Sequence, residues 1–211
     1  MSEQDAGGRL TIPIEKVAIM NWLGQVGVDG VESRLRQLPI DELTVEAEQA
    51  RSGYASEESL DAQFGGSRRI GAKVRIPDTP AGHMLVLFSP ASANRAAAMM
   101  LQGAVDDVSE ASLEMAQDAL SELANMVASG FVDEWADLFD RHIVTSAPTF
   151  VTNDERELVR RVVARDGSLG LYISTRLRLT EYDVEATVLL FPEEETFVNA
   201  TSKLSLSVIS A

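Results

Sequence analysis

The side chains best placed to do chemistry in this chain are Asp118, Glu122 and Asn125. Their i, i+4, i+7 spacing projects all three from one face of a helix. A carboxylate can pair with a cation, while an amide one turn away both donates and accepts hydrogen bonds. Neither group is a strong nucleophile, so the pair is poorly suited to covalent catalysis. It is suited to orienting a water molecule while gripping a substrate that brings its own electrophile. Spacing alone also describes ordinary polar residues on a solvated helix face, so the surrounding chain has to decide.

Composition removes most other chemistries. The absence of cysteine excludes disulfides, thiolate metal sites and cysteine nucleophiles. Two histidines, His83 and His142, offer little for a metal centre or a Ser-His-Asp arrangement, and no cofactor of the chain's own is expected. The net charge of -15 repels nucleic-acid phosphates and anionic lipid. No apolar run approaches the roughly 18 to 20 residues of a membrane span, and Met1-Ser2-Glu3-Gln4-Asp5 lacks the basic-then-apolar order of a signal peptide, so a cytoplasmic location is expected. Of the 18 basic residues only Lys16, Lys73 and Lys203 are lysine. Such an acidic, arginine-over-lysine balance suits a cytoplasm of molar salt, where charge repulsion is screened over about 3 Å, and predicts a halophilic source.

The elements that must position the three residues follow from hydrophobic periodicity. Residues 1–11 read as a disordered lead. Apolar residues from Ile14 to Leu38 recur at helical spacing, loosened by Gly24, Gly27 and Gly30. The acidic stretch from Asp41 to Ser67 holds a short strand near Leu43 to Glu48 and a turn of helix around Glu57 to Gln63. Ala72 to Ile76 and His83 to Phe88 read as strands, and Ser89-Pro90-Ala91 opens a helix to about Leu101. Ser109 and Glu110 begin a long amphipathic helix to Phe139, its stripe running Leu113, Ala116, Leu120, Leu123, Val127, Phe131, Trp135 and Leu138. Strands are expected at Ile143 to Phe150, Glu157 to Ala164, Leu169 to Leu179 and Val184 to Phe191, then a closing helix from Glu193 to about Lys203. The arginines at 156, 160, 161 and 165 read as solvated charge on an edge strand.

The two parts of the chain echo one another. His83-Met-Leu-Val-Leu-Phe88-Ser-Pro90 is matched by Thr187-Val-Leu-Leu-Phe191-Pro192, and Leu23-Gly-Gln-Val-Gly27 by Leu123-Ala-Asn-Met-Val127. The offsets, about 103 and 100 residues, nearly agree, which is the mark of a repeat. The reading is an α+β fold made by internal duplication: one domain over 12–211, with pseudo-symmetric halves at about 12–105 and 106–211. The halves share one antiparallel sheet covered by helices on one side.

At this point the sequence resembles a family. An acidic residue or serine, three residues, Glu, two residues, Asn, then 22 residues and Pro is the signature of the CheC, CheX and FliY phosphatases, and Asp118, Glu122, Asn125 and Pro148 meet every position. The segments Ala119-Leu-Ser-Glu-Leu-Ala-Asn-Met-Val127 and Ser146-Ala-Pro-Thr149 look like these proteins too, CheC above all. The resemblance implies a chemotaxis phosphatase whose substrate is the phosphorylated response regulator CheY. It implies a salt bridge from Glu122 to the receiver's active-site lysine, and an Asn125 amide that orients the attacking water. Mg²⁺ is expected on the receiver, none on this chain. Asp118 and Pro148 support the motif, Pro148 by shaping the loop that flanks the helix.

The first half departs from that pattern. Aligned on the echo, Trp22 stands where Glu is needed and Gln25 where Asn is needed, with Ala18 and Glu48 at the other two positions. A longer amide would displace the water and an indole cannot pair with a lysine, so this half is predicted inactive. A second reading follows from the same resemblance: a non-enzymatic CheC-like adaptor that binds the receptor deamidase CheD or a flagellar or archaellum switch component.

Overall fold

The computed structural model describes residues 14–38, 43–48, 50–102, 111–163, 170–202 and 204. The expected lead at 1–11, the helix start at Ser109 and Glu110, Arg165 and Lys203 lie outside the described residues. In chain order the elements are α1 (Ile14–Leu35), β1 (Val45–Ala47), β2 (Arg51–Ala55), α2 (Leu60–Gln63), β3 (Arg68–Ile76), β4 (Gly82–Phe88) and α3 (Pro90–Leu101). Then come α4 (Leu113–Phe139), β5 (Thr149–Asp154), α5 (Glu155–Val163), β6 (Gly170–Leu179), β7 (Val184–Pro192) and α6 (Glu194–Thr201). Counting β1 with β2, the order helix, strand, helix, strand, strand, helix runs twice.

All seven strands join one antiparallel sheet in the order β1-β6-β7-β4-β3-β5, with β2 also paired to β6. The middle pair, β4 with β7, sets Val86 opposite Val188. Outward from that pair the sheet reads the same in both directions, because β6 is to β7 as β3 is to β4. The first strands cross over: β2 pairs with β6 of the second half, and β5 pairs with β3 of the first.

Strand alternation sends Met84, Val86, Phe88, Val188 and Leu190 to one face of the sheet, where they meet Leu23 and Val31 of α1, Leu123, Val127 and Phe131 of α4, Ala96 of α3 and Phe197 of α6. The intervening residues Leu85, Leu87, Leu189 and Phe191 point the other way and are buried as well. Helices therefore cover both faces, a correction to the one-sided arrangement expected from sequence. The second cover consists of α2 and α5, through Leu60, Phe64, Leu158, Val159, Val162 and Val163.

Helix α5 is the main departure from the sequence reading, which placed a strand at Glu157 to Ala164. Its apolar doublets at 158/159 and 162/163 are spaced four apart and fall on one helix face, whereas strand alternation would put an arginine between the apolar residues of either face. Burying four such side chains is worth roughly 6–12 kcal/mol before entropy, against intrinsic preferences that sum to at most about 6 kcal/mol over the nine residues. Asp154 starts the helix by accepting a hydrogen bond from the Glu157 N–H at 3.0 Å. Its arginines stand on a helix rather than an edge strand, and they are solvent-facing but paired: Arg156 with Asp61 at 2.7 Å, Arg160 with Glu57 at 2.7 Å and Arg161 with Glu157 at 3.1 Å.

Two smaller differences have local causes. The strand expected from Ile143 begins only at Thr149, because Pro148 just before it has no N–H to give a ladder. The preceding segment is held instead by Ser146, whose N–H donates to the Arg75 carbonyl and whose Oγ accepts from the Arg75 N–H. Strand β2 falls in a stretch read as turns, since only Ala55 of its five residues is buried.

Candidate active site

The candidate residues stand on α4, and its placement comes before their chemistry. Ser112 caps the helix, its side chain accepting from the Met115 N–H, so the helix begins three residues later than expected. Leu113, assigned to the apolar stripe, overhangs the core and is 77% exposed. From Leu120 onward the stripe is buried as expected, through Leu123, Val127, Phe131 and Trp135. Trp135 also donates its indole N–H to the Leu23 carbonyl of α1 at 3.0 Å, tying the two long helices together inside the core.

Helix α1 lies directly against α4, and the glycines that looked like weak points are the places of contact. A Cβ built on Gly30 would sit 2.1 Å from the Gly130 carbonyl oxygen, and one built on Gly130 would sit 2.7 Å from the Gly30 oxygen. Gly27 accepts the Phe131 ring, with room for no Cβ, and Gly24 lies against Ala50 and Ile173. Backbone thus meets backbone where the helices cross. The two crossing residues are 100 positions apart, the same offset that relates the two helix motifs.

With α4 so fixed, Asp118, Glu122 and Asn125 fall within about 60° of one another around the helix, and the last two are about 4.5 Å apart along its axis. Asp118 and Glu122 are exposed and Asn125 is half-buried. The face continues through Ser129 to Asp133, which pairs with Arg34 of α1 at 3.9 Å. Among the described residues, no hydrogen bond or ion pair occupies the Glu122 or Asn125 side chains, so both are free for a partner. Pro148 is half-buried in the loop that leads from α4 into β5.

The corresponding face of α1 is built differently. Gln25 is exposed, but Trp22 is half-buried and packs against the main core. Ala18 is half-buried as well. Glu48 is exposed, with its carboxylate toward Arg176 at 3.4 Å and its carbonyl accepting from the Thr175 hydroxyl at 2.8 Å. This face thus holds an amide but no carboxylate one turn before it. Among the described residues there is no group of three or more His, Asp or Glu side chains able to hold a metal ion.

Sequence reasoning found the face and missed its support. The Gly30–Gly130 crossing left a signal, paired glycines at the repeat offset, whereas nothing in the sequence sets the Ser112 cap apart from Ser109. Spacing does not reveal which exposed residues border the site.

Comparison with known proteins bears out the resemblance to CheC, CheX and FliY. The CheC-like family model matches residues 115–152, a span that contains Asp118, Glu122, Asn125 and Pro148. Over 194 residues the chain is 26% identical to a Halobacterium salinarum protein named "Putative CheY-P phosphatase CheC1", covering 92% of this chain and 98% of that one. Solved structures share the fold. FliY of Thermotoga maritima superposes with a TM-score of 0.68 at 10% identity, over 92% of this chain and 97% of that one. A CheX from Desulfovibrio desulfuricans gives a TM-score of 0.56 at 15% identity, over 81% and 99%. No helix among the described residues is long and apolar enough to cross a membrane.

Proposed function

We propose that this chain is a phosphatase of a chemotaxis response regulator, hydrolysing the aspartyl phosphate of CheY through the single site formed by Glu122 and Asn125. The observation that carries the reading is an unengaged carboxylate and amide, one turn apart on a rigidly packed helix, inside the segment that matches the CheC-like family model. The relative from Halobacterium salinarum bears the name "Putative CheY-P phosphatase CheC1" and aligns over 92% of this chain.

The chemistry asks little of the protein. Phosphoryl transfer depends on positioning and electrostatics more than on a protein nucleophile. In this scheme Glu122 pairs with the receiver's active-site lysine and so fixes how the receiver sits. Asn125 reaches beside the phosphoryl group and holds a water in line with the phosphorus–oxygen bond to the aspartate. That bond breaks as the water oxygen bonds to phosphorus, yielding inorganic phosphate and a free carboxylate. Charge on the phosphoryl oxygens is met by the receiver's own lysine and Mg²⁺, and this chain supplies no metal. Half-burial of Asn125 suits its role, because a side chain held by its surroundings places the water with less loss of freedom.

The test is the timed loss of phospho-CheY. Asn125→Ala removes the group that positions water and lowers turnover by about 10²-fold or more with little change in KM. Glu122→Ala weakens docking, most clearly at low salt, where the charge pair is least screened. No acceleration over spontaneous hydrolysis with any cognate receiver refutes the proposal.

A further inference from the structure

The candidate face is bordered by apolar side chains that its chemistry does not use. The large hydrophobics exposed among the described residues are Leu113 at 77%, Met115 at 38% and Val144 at 41%. Met115 precedes Asp118, Glu122 and Asn125 by three, seven and ten residues, which puts it on their face of α4. Val144 lies at the other end: with Arg34, Asp133 and His142 it lines an open recess that includes Ser129, one turn beyond Asn125 on the same face. Leu113 is nine residues before Glu122 and points to the opposite side of the helix.

Distances decide whether both residues fall inside one interface. Measured along α4 from the midpoint of Glu122 and Asn125, Met115 is about 13 Å away and Ser129, which lines the same recess as Val144, about 8 Å. A standard interface covers about 800 Å² on each partner, a disc of radius about 16 Å. An interface of that size centred on the catalytic pair spans Met115 at one end and reaches the recess lined by Val144 at the other. Between them lie Asp118 and Glu122, with Glu114 beside Met115, all exposed acids. The surface is therefore an acidic centre with one exposed apolar side chain toward each end, Val144 standing among Arg34, Asp133 and His142. Its complement is a cation flanked by apolar surface.

We propose that Met115 and Val144 are docking anchors for the phosphorylated receiver, which lies lengthwise along α4 with its lysine on Glu122 and an apolar side chain on each anchor. This inference rests on the proposed phosphatase reading and adds what holds the partner in place. Methionine adapts its shape to a partner at low cost, and valine is stiff, so Val144 sets position while Met115 accommodates. Neither touches the reacting atoms.

The experiment uses the full chain with Met115→Ser, Val144→Ser, the double variant and Leu113→Ser. Binding to receiver held in its activated form by beryllofluoride is measured by titration, alongside KM and kcat on phospho-receiver. Scaled by the exposed fraction that docking would cover, each anchor variant weakens binding about 3- to 8-fold and the double variant roughly 10- to 60-fold. KM rises in step and kcat stays within about twofold. Leu113→Ser, an equally apolar loss on the wrong side of the helix, changes neither. The inference is overturned if the anchor variants bind as tightly as the parent while Asn125→Ala still abolishes turnover, a result that leaves the phosphatase reading standing. It is overturned also if Leu113→Ser weakens binding as much, or if sedimentation shows a dimer of this chain that the double variant dissolves. A parent chain that neither binds activated receiver nor hydrolyses phospho-receiver removes both readings.

Discussion

Replacing Gly130 with alanine tests the helix crossing that sets the site. In an exposed helix this change is stabilising by about 1 kcal/mol, because glycine is the poorer helix former. Here the added Cβ would lie 2.7 Å from the Gly30 oxygen, 2.7 Å from the Val31 Cα and 2.8 Å from the Val31 nitrogen. All three are backbone atoms of α1, so no rotamer change relieves the overlap. Normal contact requires α1 and α4 to separate by about 1 Å, and a gap of that size forfeits a quarter to a half of the dispersion attraction along the seam. Overpacking of this kind costs about 1–3 kcal/mol or more, and the long seam through Phe131, Val28 and Val31 argues for the upper part of that range. After the helix-propensity gain, a net loss of about 1–2 kcal/mol is expected in denaturant unfolding at constant high salt. Gly30→Ala, with its closer 2.1 Å approach, loses more. The double variant loses less than the sum, since one separation relieves both overlaps. A Gly130→Ala protein as stable as the parent, or more so, would show that the helices do not meet at these residues.

Gln25→Ala leaves the hydrolysis rate of phospho-CheY within about twofold of the parent if the first face is silent, and a loss comparable to that of Asn125→Ala contradicts the one-site reading. Trp135→Phe keeps the ring but leaves the buried Leu23 carbonyl without its indole donor, lowering unfolding free energy by about 1–3 kcal/mol in a denaturant titration. Hydrogen bonds from Thr44 hold the Glu181 carboxyl down at about 2, and those from Arg160 and Arg161 hold Glu157 below the usual carboxylate range. Both are lowered in the fold, so their stabilisation is complete above the unfolded value near 4.5 and is lost as pH falls through each folded value, about 2 for Glu181. Glu181→Gln should flatten the acid side of the stability–pH profile, and an unchanged slope counts against the Thr44 contact.

Legibility of the sequence tracked how strongly one period excluded the other. Strands β4 and β7 are long apolar runs ending at Ser89-Pro90 and Pro192, and α4 carries a stripe of several turns, so both were plain. Glu155–Val163 carries two apolar doublets separated by arginines, a helical spacing that its three β-branched valines disguise as a strand, and its partners Leu85, Leu87, Leu189 and Phe191 lie on the far face of the sheet. Strand β2 has almost no buried residues to mark it. In the site, Asp118, Glu122 and Asn125 were legible because helical spacing alone sets which side chains share a face. Met115 and Val144 were not, because their exposure depends on where the sheet ends beneath α4 and how the 142–145 loop returns.

The crossing of first strands has a consequence for how the chain folds and what it can discard. Neither half can complete its own sheet, since β2 hydrogen-bonds to β6 and β5 to β3 across more than 70 residues of chain. Contacts of such long separation must form late and together, so folding is expected to be slow and cooperative, with no stable half-length species. Cleavage between the halves should unfold the protein unless both pieces stay associated. The α1 face, with Trp22 and Gln25 where α4 has Glu122 and Asn125, can therefore differ in its exposed residues at little structural cost, while the strands beneath it remain indispensable to α4.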